Sequence, residues 1–270
     1  MQPLTPPPGF LSAAESLGIA FDPGDVDRLG RYLALLLETN KTHNLTAITD
    51  PDEAWTKHIL DALTLVPLIA GLMPDDGSEG ADGSGGDGGS GGGEGSGGGG
   101  PVRIIDVGAG GGVPGIPLAI VLPGIHVSLL EATTKKADFL RRAASELGLD
   151  NVAVINDRAE RIGQDRKAHR ERYDAAIARA VGHLAVVAEL AAPLVRVGGV
   201  VLAVKGAKAE QELAEAAKAL TTVRVAHVQT VQTPTGRIVV LEKISPTPRD
   251  YPRRNGEPKR CPLGIPKPRP

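Results

Sequence analysis

Residues 104–117 read IIDVGAGGGVPGIP. An apolar run ends at Asp106, four glycines fill the five positions from Gly108, and two prolines follow where a helix should begin. A glycine-rich turn after a strand lets backbone approach a ligand closely, because a Cβ would block the approach and positive φ is required. In an open α/β sheet, ligands sit at the carboxyl ends of the central strands. This one stretch therefore locates a site as well as a fold.

Gly110, Gly112 and Gly115 satisfy G-x-G-x-x-G, which raises a dinucleotide site. Two features argue against it. Pro114 and Pro117 remove backbone N–H groups near the helix start, where a pyrophosphate needs donors. Asp106 sets a carboxylate beside the loop, which repels phosphate and suits a sulfonium ligand that carries an amino group. The loop is read as the seat of the methionine end of S-adenosylmethionine.

Outward from this loop, short Val- and Ile-rich runs alternate with helical stretches: VRIIDVGA, HVSLLEA, NVAVINDRA, YDAAIARAV and VVLAVKG. HLAVVAELAAPLVRVGG and KAEQELAEAAKALT are each read as one helix. Such alternation means a parallel sheet covered by helices on both faces. TTVRVAHVQTVQ and RIVVLEKI, joined by the short TPTG, predict an antiparallel hairpin at the edge. The fold class is α/β: a Rossmann-like, mostly parallel seven-stranded sheet ending in an antiparallel hairpin. Glu131 closes the second strand at the separation from which an acid reaches ribose hydroxyls. Ala159 and Glu160, after the third strand, are placed for an adenine edge.

Four regions are expected. Residues 1–74 form an N-terminal helical extension, 75–100 a disordered linker, 101–245 the cofactor-binding core and 246–270 a basic Pro-rich tail. Val26, Leu29, Leu33, Leu36 and Leu37 recur at helical spacing. Asp50 is placed as N-cap, Pro51 at the first helical position, and Glu53 completes a capping-box arrangement, with Gly71 as the stop. The segment from 75 to 100 has almost nothing to bury. As a flexible coil it spans about 28 Å, so contacts alone can fix the extension on the core.

The 270 residues carry 30 Lys and Arg against 32 acids, and 41% hydrophobic content suffices for a core. Six of the acids lie in 75–100, so the rest of the chain is mildly basic, and Arg249, Arg253, Arg254, Lys259 and Arg260 suit sequence-independent phosphate contacts. Aromatic content of 3% excludes base-stacking platforms of the kind RNA-recognition motifs use. One cysteine excludes an internal disulfide framework, and six scattered histidines give no metal-ligand spacing. The start lacks a secretory signal and no run reaches membrane-spanning length, so a cytoplasmic location is expected.

NKTHNLTAITDPDEAWTKHILDAL, IIDVGAGGGVPGIPLAI, ARAVGHL, AVKG and the tail YPRRNGEPKRCPLG together resemble the bacterial RsmG (GidB) family of 16S rRNA guanine-N7 methyltransferases. The resemblance covers nearly the whole chain, apart from the Gly/Ser/Asp insertion and the Pro-rich start. It implies methylation of guanine N7 at position 527, in the 530 loop of 16S rRNA, with the 30S subunit or a precursor as partner and no membrane or protein partner. By the same resemblance Gly108 and Val113 match the cofactor loop, Glu131, Ala132 and Thr133 the ribose segment, Ala159 and Glu160 the adenine segment, and Arg179 a cofactor-site position.

Asn44, His58, Asp61 and Lys205 are candidate substrate-site residues. His58 and Asp61 are three apart and share a helix face, while Lys205 follows the fifth strand and is placed against RNA backbone. No catalytic base is expected, because N7 carries a lone pair and no proton. A small-molecule acceptor is the alternative reading, and an NAD-dependent oxidoreductase a weaker one, since the chain has no room for a second catalytic domain.

Overall fold

A computed structural model describes residues 1–73 and 100–266. The expected linker, apart from its last residue, lies outside the described residues. Seven strands form one sheet in the order β3-β2-β1-β4-β5-β7-β6. They are β1 (Arg103–Val107), β2 (His126–Leu130), β3 (Val152–Ile155), β4 (Tyr173–Arg179), β5 (Val195–Lys205), β6 (Val225–Gln232) and β7 (Arg237–Lys243). β1 to β5 run parallel, and β7 lies antiparallel between β5 and β6. The expected edge hairpin is therefore present, and the chain order reverses between β1 and β4, directly above the glycine loop.

Ahead of the sheet come α1 (Phe10–Ser16), α2 (Asp25–His43), and α3 (Pro51–Ala54), which continues through a π-helical segment (Trp55–Leu60) into α4 (Asp61–Leu63) and then α5 (Val66–Ala70). Asp50 caps α3, its carboxylate accepting from the Glu53 N–H at 2.8 Å. The single helix expected up to Gly71 is interrupted at Thr64 and Leu65, because Pro67 has no N–H with which to continue the ladder.

Within the core lie α6 (Gly115–Val121), α7 (Thr134–Glu146), α8 (Ala159–Ile162), α9 (Leu184–Ala191), α10 (Ala209–Glu215) and α11 (Ala217–Val223), with α12 (Glu257–Arg260) near the chain end. α9 is shorter than its pattern suggested. Pro193 ends it, and the β-branched VRVGGVV run that follows joins β5. The helix expected over 208–221 is likewise two, broken at Ala216. Its second half also runs past Thr221 to Val223, into residues whose pattern predicts strand, and Arg224 stops it in the left-handed region at φ 66°.

Alternation along the strands sends neighbouring residues to opposite layers. Ile104, Leu129 and Ile177 face a cluster that includes α6 and α7, whereas Ile105, Leu130 and Ala178 face one built on α9 and α11. Tyr32, Leu33, Leu36 and Trp55 from the helical extension belong to the first cluster and are fully buried. Each such side chain contributes roughly 1.5–3 kcal/mol of burial. The extension is thus part of the core that fixes the glycine loop.

Candidate functional site

The glycine loop spans the end of β1 and the start of α6. Gly108, Gly110 and Gly112 all have positive φ, at 77°, 57° and 95°. The N–H groups of Gly108 and Ala109 donate to the Leu130 carbonyl at 2.8 and 3.0 Å, which ties the turn to the end of β2. Asp106 is buried, and its carboxylate accepts from the Gly115 N–H at 3.0 Å. Burial pushes that carboxyl up to about 7, against the Gly115 bond and the Arg179 charge, which pull it down. A Cβ on Gly115 would stand 2.2 Å from Leu129 Cδ2 and 3.0 Å from Asp106 Oδ2. Asp106 therefore anchors the far end of the loop. The side chain expected to face the ligand is thus engaged with the loop's own backbone, and it is not among the residues lining the two cavities described next.

Two cavities open beside the loop, and Gly108 lines both. One, of about 180 Å³, is bounded by Leu130, Ala132, Ala159, Val181, Val186 and Leu190, with Asp157, Arg158 and Glu160 at its rim. The other, of about 420 Å³, lies under the helical extension. It has Leu36, Leu45, Thr46 and Ile48 on one side, and Gly110, Val113, His58, Lys136 and Arg179 around the rest. Together they match the roughly 300–1,000 Å³ of small-molecule sites.

Glu131 stands between the loops. One of its oxygens accepts from the Gly110 N–H at 3.0 Å and the other from the Thr133 N–H at 2.7 Å. Each keeps a second lone pair. Ala132 is exposed at the smaller cavity, and Thr133 precedes α7 with extended backbone. Ala159 opens α8 and lines the same cavity. Glu160 is engaged elsewhere as well, since its carboxylate accepts from the Gly256 N–H at 2.7 Å.

On the larger side, Arg179 ends β4 and reaches across to the extension. Its Nε lies 3.1 Å from an Asp61 oxygen and its Nη2 donates to the Lys57 carbonyl at 2.8 Å. The other Asp61 oxygen accepts from the Thr235 hydroxyl in the β6–β7 turn. Asp61 is thus a buried junction between extension, sheet end and hairpin. The residue after Arg179, Ala180, holds a left-handed conformation at φ 57° and lines the cavity. Non-glycine strain of this kind is concentrated at functional sites.

His58 lines the larger cavity and is 5% exposed. Its Nε2 lies 2.9 Å from the Thr46 hydroxyl, and its buried Nδ1 has no partner. Burial and the neighbouring Arg179 charge hold the ring down at about 4, so it is neutral near pH 7. Asn44 is exposed, ends α2 in the left-handed region at φ 39°, and lies outside the residues that line the cavity. Asn40 instead shapes this stretch, its Oδ1 accepting from the Leu45 and Thr46 N–H groups at 2.7 and 2.9 Å.

Lys205, placed by the sequence against RNA backbone, is engaged within the protein. Its ammonium pairs with Glu212 at 2.8 Å and donates to the Gly182 carbonyl, and its side chain is 8% exposed. It holds the loop after β4 instead of projecting toward RNA. Arg253, expected among the phosphate-binding tail residues, is bound to the buried Glu189 at 2.6 Å. Sequence reasoning missed Tyr32, Lys136 and Thr235. Tyr32 falls on the same apolar stripe as Leu29 and Leu36, which is the one signal that could have found it.

Among the described residues no cluster of His, Cys, Asp and Glu could hold a metal ion, and no helix is long and apolar enough to cross a membrane. Residues 25–93 and 97–239 match the family described as rRNA small subunit methyltransferase G. The ribosomal RNA small subunit methyltransferase G of Sorangium cellulosum is 46% identical over 93% of this chain and 94% of its own length. Those of Pelotomaculum thermopropionicum and Leuconostoc citreum are 40% and 36% identical, over 93% and 94% of this chain and 95% and 98% of their own lengths.

Proposed function

Because the chain belongs to the rRNA small subunit methyltransferase G family, we propose that it methylates N7 of a guanine in the 530 loop of 16S rRNA, at position 527. The methyl donor is S-adenosylmethionine. One observation carries the reading: two chambers meet at a single glycine, Gly108, at the carboxyl ends of the strands. The smaller chamber, with Leu130, Ala159 and Val181 in its wall, suits an adenosine, the glycine turn leaves space for a bound chain, and the larger chamber suits an incoming base.

When bound, the donor supplies an electrophilic methyl group. Everything else falls to the chain's own residues. Glu131 presents its remaining lone pairs to ribose hydroxyls, and Leu130, Ala159 and Val181 exclude water from the adenine face. Gly108 and Gly110 keep the passage between chambers open. Guanine N7 has a lone pair and no proton, so no residue is needed to abstract one, and orientation with electrostatics suffices. Neutral His58 lines the larger chamber without adding a charge beside the reacting nitrogen. Lys136 lies at the mouth, where a phosphate of the target strand is attracted to it. Asp61 and Arg179 brace the chamber.

The 30S subunit or a precursor is the substrate, approached by shape and charge. Mass spectrometry of 16S rRNA from cells with and without the gene tests the reading. Loss of 7-methylguanosine from the 530 loop is expected, restored by the wild-type chain and not by Gly108→Arg, whose side chain would meet Val181 Cγ2 at the first carbon. A mark that persists without the gene would overturn the ribosomal target and redirect the search to small-molecule acceptors.

A further inference from the structure

The smaller cavity has one wall from an unexpected place. Beside residues of β1, β2, α8 and α9 it is lined by Gly256 and Lys259, near the chain end. Both lie in Tyr251–Cys261, within the region whose composition reads as a solvated basic tail. Polar bonds hold this segment in place. The carboxylate of Glu189, fully buried on α9, accepts from Arg253 three times: from its N–H at 3.0 Å, Nε at 2.8 Å and Nη2 at 2.6 Å. Arg253 Nη2 also donates to the Cys261 carbonyl at 2.8 Å, closing the segment on itself. Glu160 takes the Gly256 N–H, and Gln164 donates to the Pro252 carbonyl at 2.9 Å.

Glu189 and Glu160 both sit on helices that line the cavity, α9 and α8. The segment therefore bridges two walls of one chamber. We propose that Tyr251–Cys261 is a built part of the methyl donor's adenosine pocket, with Glu189 and Arg253 as its positioning pair and Lys259 as the cation it brings to the ligand. This rests on the reading of the cleft as an S-adenosylmethionine site. A bidentate guanidinium–carboxylate pair fixes orientation as well as distance. Losing it would leave Glu189 buried without a counter-charge and free the segment to leave the cavity mouth. Donor affinity is consequently set in part by the last tenth of the chain.

The test uses S-adenosylhomocysteine and the full chain, with amide hydrogen exchange and isothermal titration side by side. In the wild type, saturating ligand should slow exchange both at Gly108–Gly112 and at Arg254–Cys261. Arg253→Ala should weaken binding tenfold or more and raise KM for the donor while kcat and KM for the RNA substrate hold, with partial recovery in Arg253→Lys. Should Arg253→Ala not fold, the exposed Lys259→Ala serves, expected to weaken binding at least threefold at an unchanged melting temperature. Protection confined to the glycine loop, with unaltered affinity in Lys259→Ala, would overturn the inference and leave the cofactor reading standing. No binding by the wild type would overturn both.

Discussion

The hydroxyl of Tyr32, fully buried on α2, donates to the carbonyl of Gly111 at 2.7 Å, across 79 residues of sequence. Leu36, one turn on, packs so closely that a Cβ on Gly111 would stand 2.8 Å from its Cδ1. The helical extension thus sets the height of the cofactor loop. Tyr32→Phe keeps the ring and strands the carbonyl, at a cost of about 1–3 kcal/mol. Thermal unfolding should register that loss, and titration with S-adenosylhomocysteine should show weaker binding. Unchanged values in both would mean that the loop holds itself.

Glycine positions in the core separate steric from conformational demands. Gly115→Ala drives a methyl into Leu129 and the Asp106 carboxylate, and should destabilise the fold by about 1–3 kcal/mol or more. Gly148→Ala, at φ 64° with nothing within 4 Å of the new Cβ, meets only backbone strain. It should cost about 1–2 kcal/mol. Chemical denaturation of the two variants checks the order, and the reverse order would refute this packing.

Two buried groups pull stability in opposite directions below neutrality. His58 is held at about 4, so the unfolded chain binds more protons between there and 6.5, and this contribution falls on acidification. Asp106 is raised to about 7, so the native chain binds more protons between 3.8 and 7, and its contribution falls as pH rises. Relative to wild type, Asp106→Asn should make the melting temperature drop more steeply from pH 6.5 to 4. His58→Gln should flatten or reverse that drop. Identical slopes in all three proteins would contradict both assignments.

Lys243 gives an alkaline counterpart. It is completely buried at the opposite end of the sheet, donating to the carbonyls of Ala192 at 2.6 Å and Val195 at 3.3 Å. Burial lowers it to about 8, against the pull of Glu171. The unfolded chain holds its proton up to about 10.5, so stability should rise with pH between 8 and 10.5. In Lys243→Met that rise should vanish in denaturation curves taken at each pH.

The Asp61–Arg179 contact should behave as a coupled unit. Asp61→Asn and Arg179→Gln each leave a partner uncompensated, and a double-mutant cycle on unfolding should return about 0.5–3 kcal/mol of coupling. Methylation of 30S particles should fall in both single variants. Additive effects would show that the junction is incidental.

What could be read from the sequence followed how local its causes are. The β1 turn was legible because glycine spacing, Asp106 and the prolines act within a dozen residues, and the edge hairpin because strand periodicity and TPTG are contiguous. The roles of Asp106, Lys205 and Arg253 were not, since each is decided by a partner chosen in three dimensions: Gly115, Glu212 and Glu189. Composition makes Arg253 a solvated cation, and only the fold reveals the buried acid beneath it.

The seat of α2 on the loop also sets an order of events during synthesis. Ribosomes add about 5–20 residues per second, so the 79 residues between Tyr32 and Gly111 keep the helix waiting on the order of ten seconds for its docking surface. Its apolar stripe must be sheltered meanwhile. The extension carries an early refuge of its own, in which Phe10 meets the Trp55 ring at 4.7 Å and lies 6.1 Å from Phe21. Nascent chains arrested before β1 should therefore already protect Trp55 from solvent.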